Sequence, residues 1–245
     1  MDSSHKAKKI YNKFNFKQFS IQQNNAAMKI GTDGILLGAW TDVNKAKQIL
    51  DIGCGTGVIG IMQAQKNCEA IIDLVEIDKS ACIDANINIS NCPWYNRINL
   101  FESALDKFNT NKKYDVIISN PPFFNNSLKS ENNSRSLARH SISLDYKQII
   151  LFSNKYLNNN GGLSLILPYN QADECISFSK NNNLFLSRIC NVKAKETKKA
   201  HRILLEFSKI EKNLVKDTII IENNLRHNYT KQYKVLTNNF YTIFD

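Results

Sequence analysis

The tetrapeptide Asn120-Pro121-Pro122-Phe123 follows a short apolar segment, YDVIIS. Prolines fix φ and restrict the preceding residue, so the Asn120 side chain and the Pro121 carbonyl are expected to point the same way. Both groups can accept hydrogen bonds from the two N–H groups of an exocyclic amine. Phe123 offers a flat apolar face on which an extruded base can stack. The tetrapeptide therefore predicts a site that holds a base by its amino group, with an ordinary Pro-Pro turn as the structural alternative.

A glycine-rich segment, DIGCGTG, spans residues 51–57 and follows the first strongly apolar run of the chain. Glycines at this spacing allow a sharp turn and a close approach of the backbone to a ligand. A related loop occurs in dinucleotide enzymes, but here Asp51 precedes the glycines and Glu76 follows 25 residues later. A carboxylate at the second position can accept hydrogen bonds from ribose hydroxyls. Asp51 favours a ligand with a cationic amino-acid end, such as S-adenosylmethionine, over a pyrophosphate.

Short apolar runs alternate with helical segments and predict a parallel α/β sheet covered on both faces. FNFKQFSIQQ suits a short hairpin or a strand, and GTDGILLGAW suits a short helix capped by Thr32 or Asp33. The predicted strands are QILDIG, AIIDLVEID, INLFES, YDVIIS and LSLILP, and the predicted helices are VIGIMQAQK, KSACIDANINIS and LDYKQIILFSNKYL.

The later part of the chain changes rhythm. A turn is expected at residues 158–162, NNNGG, before the LSLILP strand. Residues 183–210 read as two long strands joined at the basic residues 195–199, forming a hairpin that closes the sheet with an antiparallel edge. The tail predicts one more strand at TIIIENN and a final turn of helix.

Composition and charge bound the function classes. The 245 residues include 42% hydrophobic residues, with no run long enough to span a bilayer and no apolar N-terminal signal, so a cytoplasmic protein is expected. The six cysteines show no metal-ligand spacing, and no metal is expected. Net charge is +5 over residues 1–47, −3 over 48–126 and +6 over 148–245. Basic flanks around an acidic centre suit a polyanionic partner, although a solvated basic surface would look the same.

The glycine loop followed by NPPF resembles the amino-methyltransferases with a Rossmann-like seven-stranded core. The segments FNFKQFSIQQ, MKIGTDGILLGAW and the late FY resemble one branch, the bacterial tRNA1(Val) (adenine(37)-N6)-methyltransferases, over residues 14–244. The resemblance implies a mostly parallel α/β sheet with an antiparallel C-terminal hairpin. It implies methyl transfer from S-adenosylmethionine to the N6 amine of adenine 37, beside the anticodon. Residues 1–47 would form a basic extension with a cofactor-covering helix, and residues 48–245 the methyltransferase core of a single domain.

The resemblance also implies roles for individual residues. Asn120 and Pro121 would hold the target amine while Phe123 stacks the base. The cofactor would contact the strand ends and the loops that follow them, at Asp51, Gly53, Gly55, Gly57, Glu76, Asp78, Ser103, Ala104 and Asn120. Many relatives carry an Asp near residues 103–104, and none stands there in this chain. Thr32 and Asp33 would lie over the cofactor entrance.

RNA contacts are expected from basic residues outside the core. The polar segment SLKSENNSRSLARHS carries Arg135, Arg139 and His140 directly after NPPF, and it is interpreted as a loop that grips RNA phosphate or as a plain surface loop. A catalytic role for His140 is left open. The remaining candidates lie on the late hairpin (Lys193, Lys195, Lys198, Lys199 and Arg202) and near the N-terminus (Lys6, Lys8, Lys9, Lys13 and Lys17). Such contacts would be sensitive to salt.

Several alternative functions share these motifs. A guanine-N2 ribosomal RNA methyltransferase can carry NPPF and a basic surface. A protein-glutamine N5 methyltransferase usually carries Tyr as the fourth residue and a helical N-terminal domain, which a stretch of about 47 residues does not accommodate. DNA adenine methylation would need an additional recognition domain. The expected protein is a monomeric enzyme that acts on tRNA, with no membrane segment and no metal.

Overall fold

The computed structural model describes residues 13–122 and 144–244. Within them, one sheet of eight strands has the order β10-β8-β9-β7-β6-β3-β4-β5. Its strands are β3 (Gln48–Ile52), β4 (Ile71–Glu76), β5 (Ile98–Glu102), β6 (Tyr114–Ser119), β7 (Leu157–Pro168), β8 (Phe185–Lys195), β9 (Arg202–Ser208) and β10 (Val215–Glu222). The short strands β1 (Lys13–Asn15) and β2 (Ser20–Gln22) form a separate antiparallel pair, which confirms the predicted N-terminal hairpin.

Helices cover both faces of the large sheet. The helices are α1 (Thr32–Trp40), α2 (Val58–Lys66), α3 (Lys79–Ser90), α4 (Tyr146–Tyr156), α5 (Ala172–Asn181) and α6 (Lys231–Thr237). Buried side chains of α1, α2 and α6 form one apolar cluster with one face of the sheet, and those of α4 and α5 form a second cluster with the other face. Successive residues of β3 divide between the clusters, since Ile49 belongs to the first and Leu50 to the second. This arrangement explains why the core strands are apolar with little alternation.

The five strands β3 to β7 run parallel to one another, and β4 to β7 are each reached through a crossover connection. From β3 the chain runs outward through β4 to β5, and it then returns to place β6 on the other side of β3. The strand order therefore reverses between β3 and β6. In open α/β sheets such a reversal leaves a crevice at the carboxyl ends of the strands.

The predicted late hairpin is present as β8 and β9. Strand β9 lies between β7 and β8 and is antiparallel to both. The hairpin does not form the edge of the sheet, because β10 pairs with the outer side of β8, parallel to it. The sheet therefore contains one strand more than the expected core of seven, and this strand is the one that TIIIENN predicts.

The prediction of a turn at residues 158–162 is wrong. Strand β7 starts at Leu157, directly after α4, and the Asn-rich segment remains within it as a bulge. Leu157 pairs with Tyr114, and the next pair joins Gly162 to Val116. A Cβ on Gly161 would lie 2.9 Å from the carbonyl oxygens of both Tyr114 and Asp115, so the chain passes too close to β6 for a side chain there.

The predicted cap of α1 is also wrong. The N-cap residue is Gly31, with extended backbone angles and no side-chain hydrogen bond, and Thr32 and Asp33 belong to the first turn. The Asp33 carboxylate is engaged elsewhere, because Arg202 Nε donates to it at 2.7 Å. In residues 13–122 and 144–244, no helix is long and apolar enough to cross a membrane.

Candidate active site

A cavity of about 730 Å³ opens at the carboxyl ends of β3, β4, β5 and β6. It occupies the crevice where the strand order reverses. Its walls come from the segment before α1, the first turn of α1, the loops after these four strands, and the start of α4. The predicted site residues on the wall are Gly53, Gly55, Glu76, Asp78, Ser103, Ala104 and Asn120. The volume is typical of a small-molecule site.

The glycine loop adopts a backbone that requires glycine. Gly53, Gly55 and Gly57 have φ angles of 69°, 56° and 81°, all in the left-handed region. The loop is tied to the neighbouring strand, because the Gly53 and Cys54 N–H groups both donate to the Val75 carbonyl. Gly57 is the N-cap residue of α2 and lies off the cavity wall. The loop therefore brings backbone to the cavity at its centre and turns into α2 at its end.

Glu76 and Asp78 lie where β4 meets α3. Glu76 Oε2 accepts from Gly55 N–H at 2.8 Å, while Oε1 accepts from the N–H groups of Ile77 and Asp78, also at 2.8 Å. The carboxylate thus connects the glycine loop to the turn after β4 and still faces the cavity. Asp78 lies on the wall and caps α3 by accepting from Ser80 N–H.

Asp51 belongs to β3, is fully buried, and does not line the cavity. Its Oδ2 accepts from Gly60 N–H at 3.0 Å, and its Oδ1 has no hydrogen-bond partner among the described residues. Burial raises the pKa of Asp51 to about 7, the Gly60 hydrogen bond opposes this rise, and the charge of Glu76 adds to it. A cation delivered through the loop would meet a buried carboxylate that forms no ion pair among residues 13–122 and 144–244.

Asn120 directly follows β6 and lies on the cavity wall. Its side-chain oxygen is buried and accepts no hydrogen bond from the described residues. An unpaired buried amide oxygen costs on the order of 1–3 kcal/mol, so such a group is expected to meet a ligand donor. Pro121 is buried and off the cavity wall, Pro122 lines the cavity, and Phe123 lies outside the described residues.

The loop after β5 carries a carboxylate that sequence reasoning missed. Ser103 and Ala104 line the cavity as expected, and Ser103 N–H donates to the Glu76 carbonyl at 2.8 Å. An acidic residue, Asp106, also lies on the wall two positions after Ala104, together with Lys107. The sequence ALDK contains this acidic residue, but the sequence alone does not show where the loop lies relative to β5.

The wall formed by residues 26–31 was likewise not predicted. Two buried polar residues of α3 hold the segment that leads into it. Asp84 accepts from the N–H groups of Asn25 and Ala26, both at 2.8 Å, and Asn88 bonds to Gln22 through both its side-chain oxygen and its nitrogen. Asn88 also donates to the Thr56 carbonyl, so it connects this wall to the glycine loop. Their spacing, four residues apart on an otherwise apolar helix face, was the available signal.

The remaining predicted residues are dispersed. Thr32 is exposed and not on the cavity wall. Arg135, Arg139 and His140 lie outside the described residues, as do Lys6, Lys8 and Lys9.

The connection between β8 and β9 lies at the end of the sheet that carries the cavity, because β8 ends and β9 begins there. Lys198 and Lys199 are exposed at the hairpin tip. Lys195 Nζ donates to the Asn224 carbonyl at 2.9 Å, and Lys193 Nζ lies 3.8 Å from Glu196. Arg202 is ion-paired with Asp33, with side chains 28% and 23% exposed. The hairpin therefore offers its most exposed charges at the tip and uses Arg202 inside the fold.

Comparisons with known proteins agree on one family. Residues 26–175 match the family model described as "Methyltransferase small domain". A tRNA1(Val) (adenine(37)-N6)-methyltransferase from Flavobacterium psychrophilum is 41% identical over 231 residues, which cover 93% of this chain and 98% of the relative. A protein of the same name from Pseudoalteromonas translucida is 40% identical, over 93% of this chain and 97% of the relative.

Solved structures agree with the fold. A predicted O-methyltransferase from Agrobacterium tumefaciens superposes with a TM-score of 0.66 at 18% identity, covering 85% of this chain and 96% of that one. A ribosomal protein L11 methylase from Lactobacillus delbrueckii superposes with a TM-score of 0.56 at 16% identity, covering 78% of this chain and 84% of that one. The Rossmann-like methyltransferase fold expected from the sequence is therefore confirmed.

Proposed function

Because the chain belongs to the tRNA1(Val) (adenine(37)-N6)-methyltransferase family, we propose that it methylates the N6 amine of adenine 37, beside the anticodon of that tRNA. Identity of 36–41% over most of the chain supports this activity. Within the site, the proposal rests on the buried Asn120 oxygen, which lies at the cavity wall and accepts no hydrogen bond from the part of the chain that the structure describes. An N–H group of an exocyclic amine is a donor that can satisfy such an acceptor.

S-adenosylmethionine is the proposed methyl donor, and the polar groups on the cavity wall and behind it fit this ligand. When bound, it supplies an electrophilic methyl group on a sulfonium. Gly53 and Gly55 provide close-approaching backbone, and Asp51 provides a buried negative charge beside the loop for an ammonium group. Glu76 and Asp78 provide carboxylate oxygens for ribose hydroxyls, and the loop after β5 (Ser103, Ala104, Asp106) provides the wall for an adenine ring.

The chain's own contribution to the chemical step is placement. Asn120 Oδ1 and the Pro121 carbonyl accept the two N–H groups of the target amine, so that the nitrogen lone pair points out of the plane of the base. Phe123 stacks the extruded base. No general base is required for attack, because the amine can lose its proton to solvent after the methyl group is transferred. Orientation of this kind supplies much of the rate in reactions between two bound groups.

RNA reaches the cavity along a basic edge. The exposed Lys198 and Lys199 at the hairpin tip, with Lys193 and Lys195 behind them, are proposed to contact phosphate. Arg135 and Arg139 belong to the same proposal. The target adenine must leave its stack to enter a cavity of this kind, which costs less in an anticodon loop than in a duplex. A cytoplasmic location, a monomeric state and the division at residue 47 remain predictions.

The first test is methyl transfer from labelled S-adenosylmethionine to tRNA that lacks its own modification, followed by nucleoside analysis. The expected product is N6-methyladenosine, mapped to position 37 of tRNA1(Val). Label in N2-methylguanosine would instead support a ribosomal-type guanine enzyme, and label in protein alone would support glutamine methylation. Either result would overturn the proposed substrate.

The role of Asn120 is tested by Asn120→Ala. Loss of the side-chain contact to the target amine is expected to lower kcat by about 100-fold or more, in the range measured when a transition-state hydrogen bond is removed. Affinity for S-adenosylmethionine, measured by calorimetry, should change by less than about threefold, because the unpaired oxygen serves the target amine. The matched control is Asn86→Ala, an exposed asparagine of α3. Full turnover of Asn120→Ala would contradict the assignment.

A further inference from the structure

Helix α1 is held unequally at its two ends. The carbonyls near its carboxyl end accept several side-chain hydrogen bonds: Gly38 from Gln63 and Lys66, and Ala39 from Lys66. Trp40 carries the Arg188 guanidinium over its ring at 4.1 Å. This end of the helix is therefore fixed to both α2 and β8.

The amino end of α1 has a different attachment. Its N-cap residue, Gly31, makes no side-chain capping bond. Within residues 13–122 and 144–244, the one side-chain hydrogen bond that reaches residues 31–36 is the 2.7 Å bond from Arg202 Nε to Asp33 Oδ2. This ion pair joins α1 to the first residue of β9 across 169 positions of sequence. Because both side chains are less than a third exposed, solvent screens the pair only in part.

The same turn of α1 forms part of the active-site wall. Gly31 and Gly34 both line the cavity. A Cβ on Gly34 would lie 3.9 Å from Asn120 Nδ2 and 3.8 Å from the Ile59 side chain. A displacement of the first turn of about 1 Å would therefore change the space beside the amide that is proposed to hold the target amine.

We propose that Arg202 is a positioning residue: by binding Asp33 it fixes the first turn of α1 against Asn120, and it is not one of the phosphate contacts. The ion pair holds the cavity wall from the hairpin side, while the neighbouring lysines remain at the surface. The inference rests on the proposed methyl transfer to tRNA. It assigns Arg202 to a contact with Asp33, whereas Lys198 and Lys199 are proposed to contact RNA phosphate.

The experiment compares Asp33→Asn, Arg202→Met and the double variant. Each single variant should lower kcat for tRNA methylation on the order of tenfold, and the double variant should be no worse than either, because residues in direct contact act as one unit. The KM for tRNA and the salt dependence of tRNA binding should remain those of the wild type. Lys216→Met, an exposed cation on β10, is the control for loss of positive charge.

A charge swap tests the pair directly. The variant Asp33→Arg with Arg202→Asp should recover at least part of the lost kcat, and thermal melting of every variant excludes global unfolding as the cause. Recovery with an unchanged KM for tRNA would support a positioning role.

Three results would overturn the inference: additive losses in the double variant, no recovery in the swap, or a flatter salt dependence of tRNA binding in Arg202→Met. The last would return Arg202 to the phosphate contacts. A wild-type protein that is inactive on tRNA would instead refute the proposed function, so the two failures are distinguishable.

Discussion

Binding of S-adenosylmethionine should depend on pH through Asp51. Burial raises the pKa of this carboxyl to about 7, because water no longer solvates its charge. Only the ionised form attracts the ammonium end of the ligand. Relative to fully ionised Asp51, the apparent dissociation constant is therefore multiplied by about 11 at pH 6 and by about 2 at pH 7, so affinity should fall roughly fivefold from pH 7 to pH 6. The interval stays below pH 7 because the ligand's own amine begins to titrate above it.

Calorimetry in buffers of different ionisation enthalpy measures both the affinity and the protons released. We expect release of about half a proton at pH 7, since about half of the Asp51 population is ionised before binding. Asp51→Asn should bind the ligand about 10–100-fold more weakly at pH 7 and lose the pH dependence between pH 6 and 7. Asp173→Asn, at an exposed carboxyl in the first turn of α5, is the matched control. Persistence of the wild-type pH profile in Asp51→Asn would refute the reasoning.

The raised pKa of Asp51 also predicts how the free energy of unfolding changes with pH. The folded state holds the Asp51 proton more tightly than the unfolded chain, whose pKa is near 3.8. The free energy of unfolding should therefore decrease as pH rises from about 4 to about 7, by up to ~4 kcal/mol from this group, and then level off. Asp51→Asn should flatten that decrease in urea titrations of the unliganded protein. An identical slope in both proteins would show that Asp51 is not desolvated as described.

Further predictions concern the loops, the basic edge and the bulge. Glu76→Gln should weaken S-adenosylmethionine binding about 10–100-fold in calorimetry, because charged acceptors make the stronger hydrogen bonds, and unchanged affinity would remove Glu76 from the site. Lys198→Glu with Lys199→Glu should raise the KM for tRNA and flatten the salt dependence of binding, whereas an unaltered slope would locate RNA elsewhere. Gly161→Ala should lower the free energy of unfolding by about 1–3 kcal/mol in urea through its 2.9 Å contacts, while Gly162→Ala should be tolerated, and equal effects would contradict the bulge geometry.

Local patterns were sufficient for most elements and for the chemistry of the strand ends. Helices α2 and α3 follow the predicted segments VIGIMQAQK and KSACIDANINIS residue for residue, because an apolar face and a capping residue are local properties. The glycine loop and Asn120 could be predicted to lie together, because the carboxyl ends of parallel strands meet at one edge. Residues that follow a core strand directly are thus located by the fold class alone.

The tertiary structure decided what depends on packing between distant segments. The NNNGG segment has turn composition, yet it stays within β7 because Gly161 passes against the β6 backbone. Asp33 is of a residue type that often caps helices, yet its carboxylate binds Arg202, a residue 169 positions away. Asp84 reads as an ordinary helical polar residue, yet it is buried and holds the cavity wall at Asn25 and Ala26. The partner of a polar side chain depends on which distant segments the sheet brings into contact. A local pattern of residue types does not contain that information.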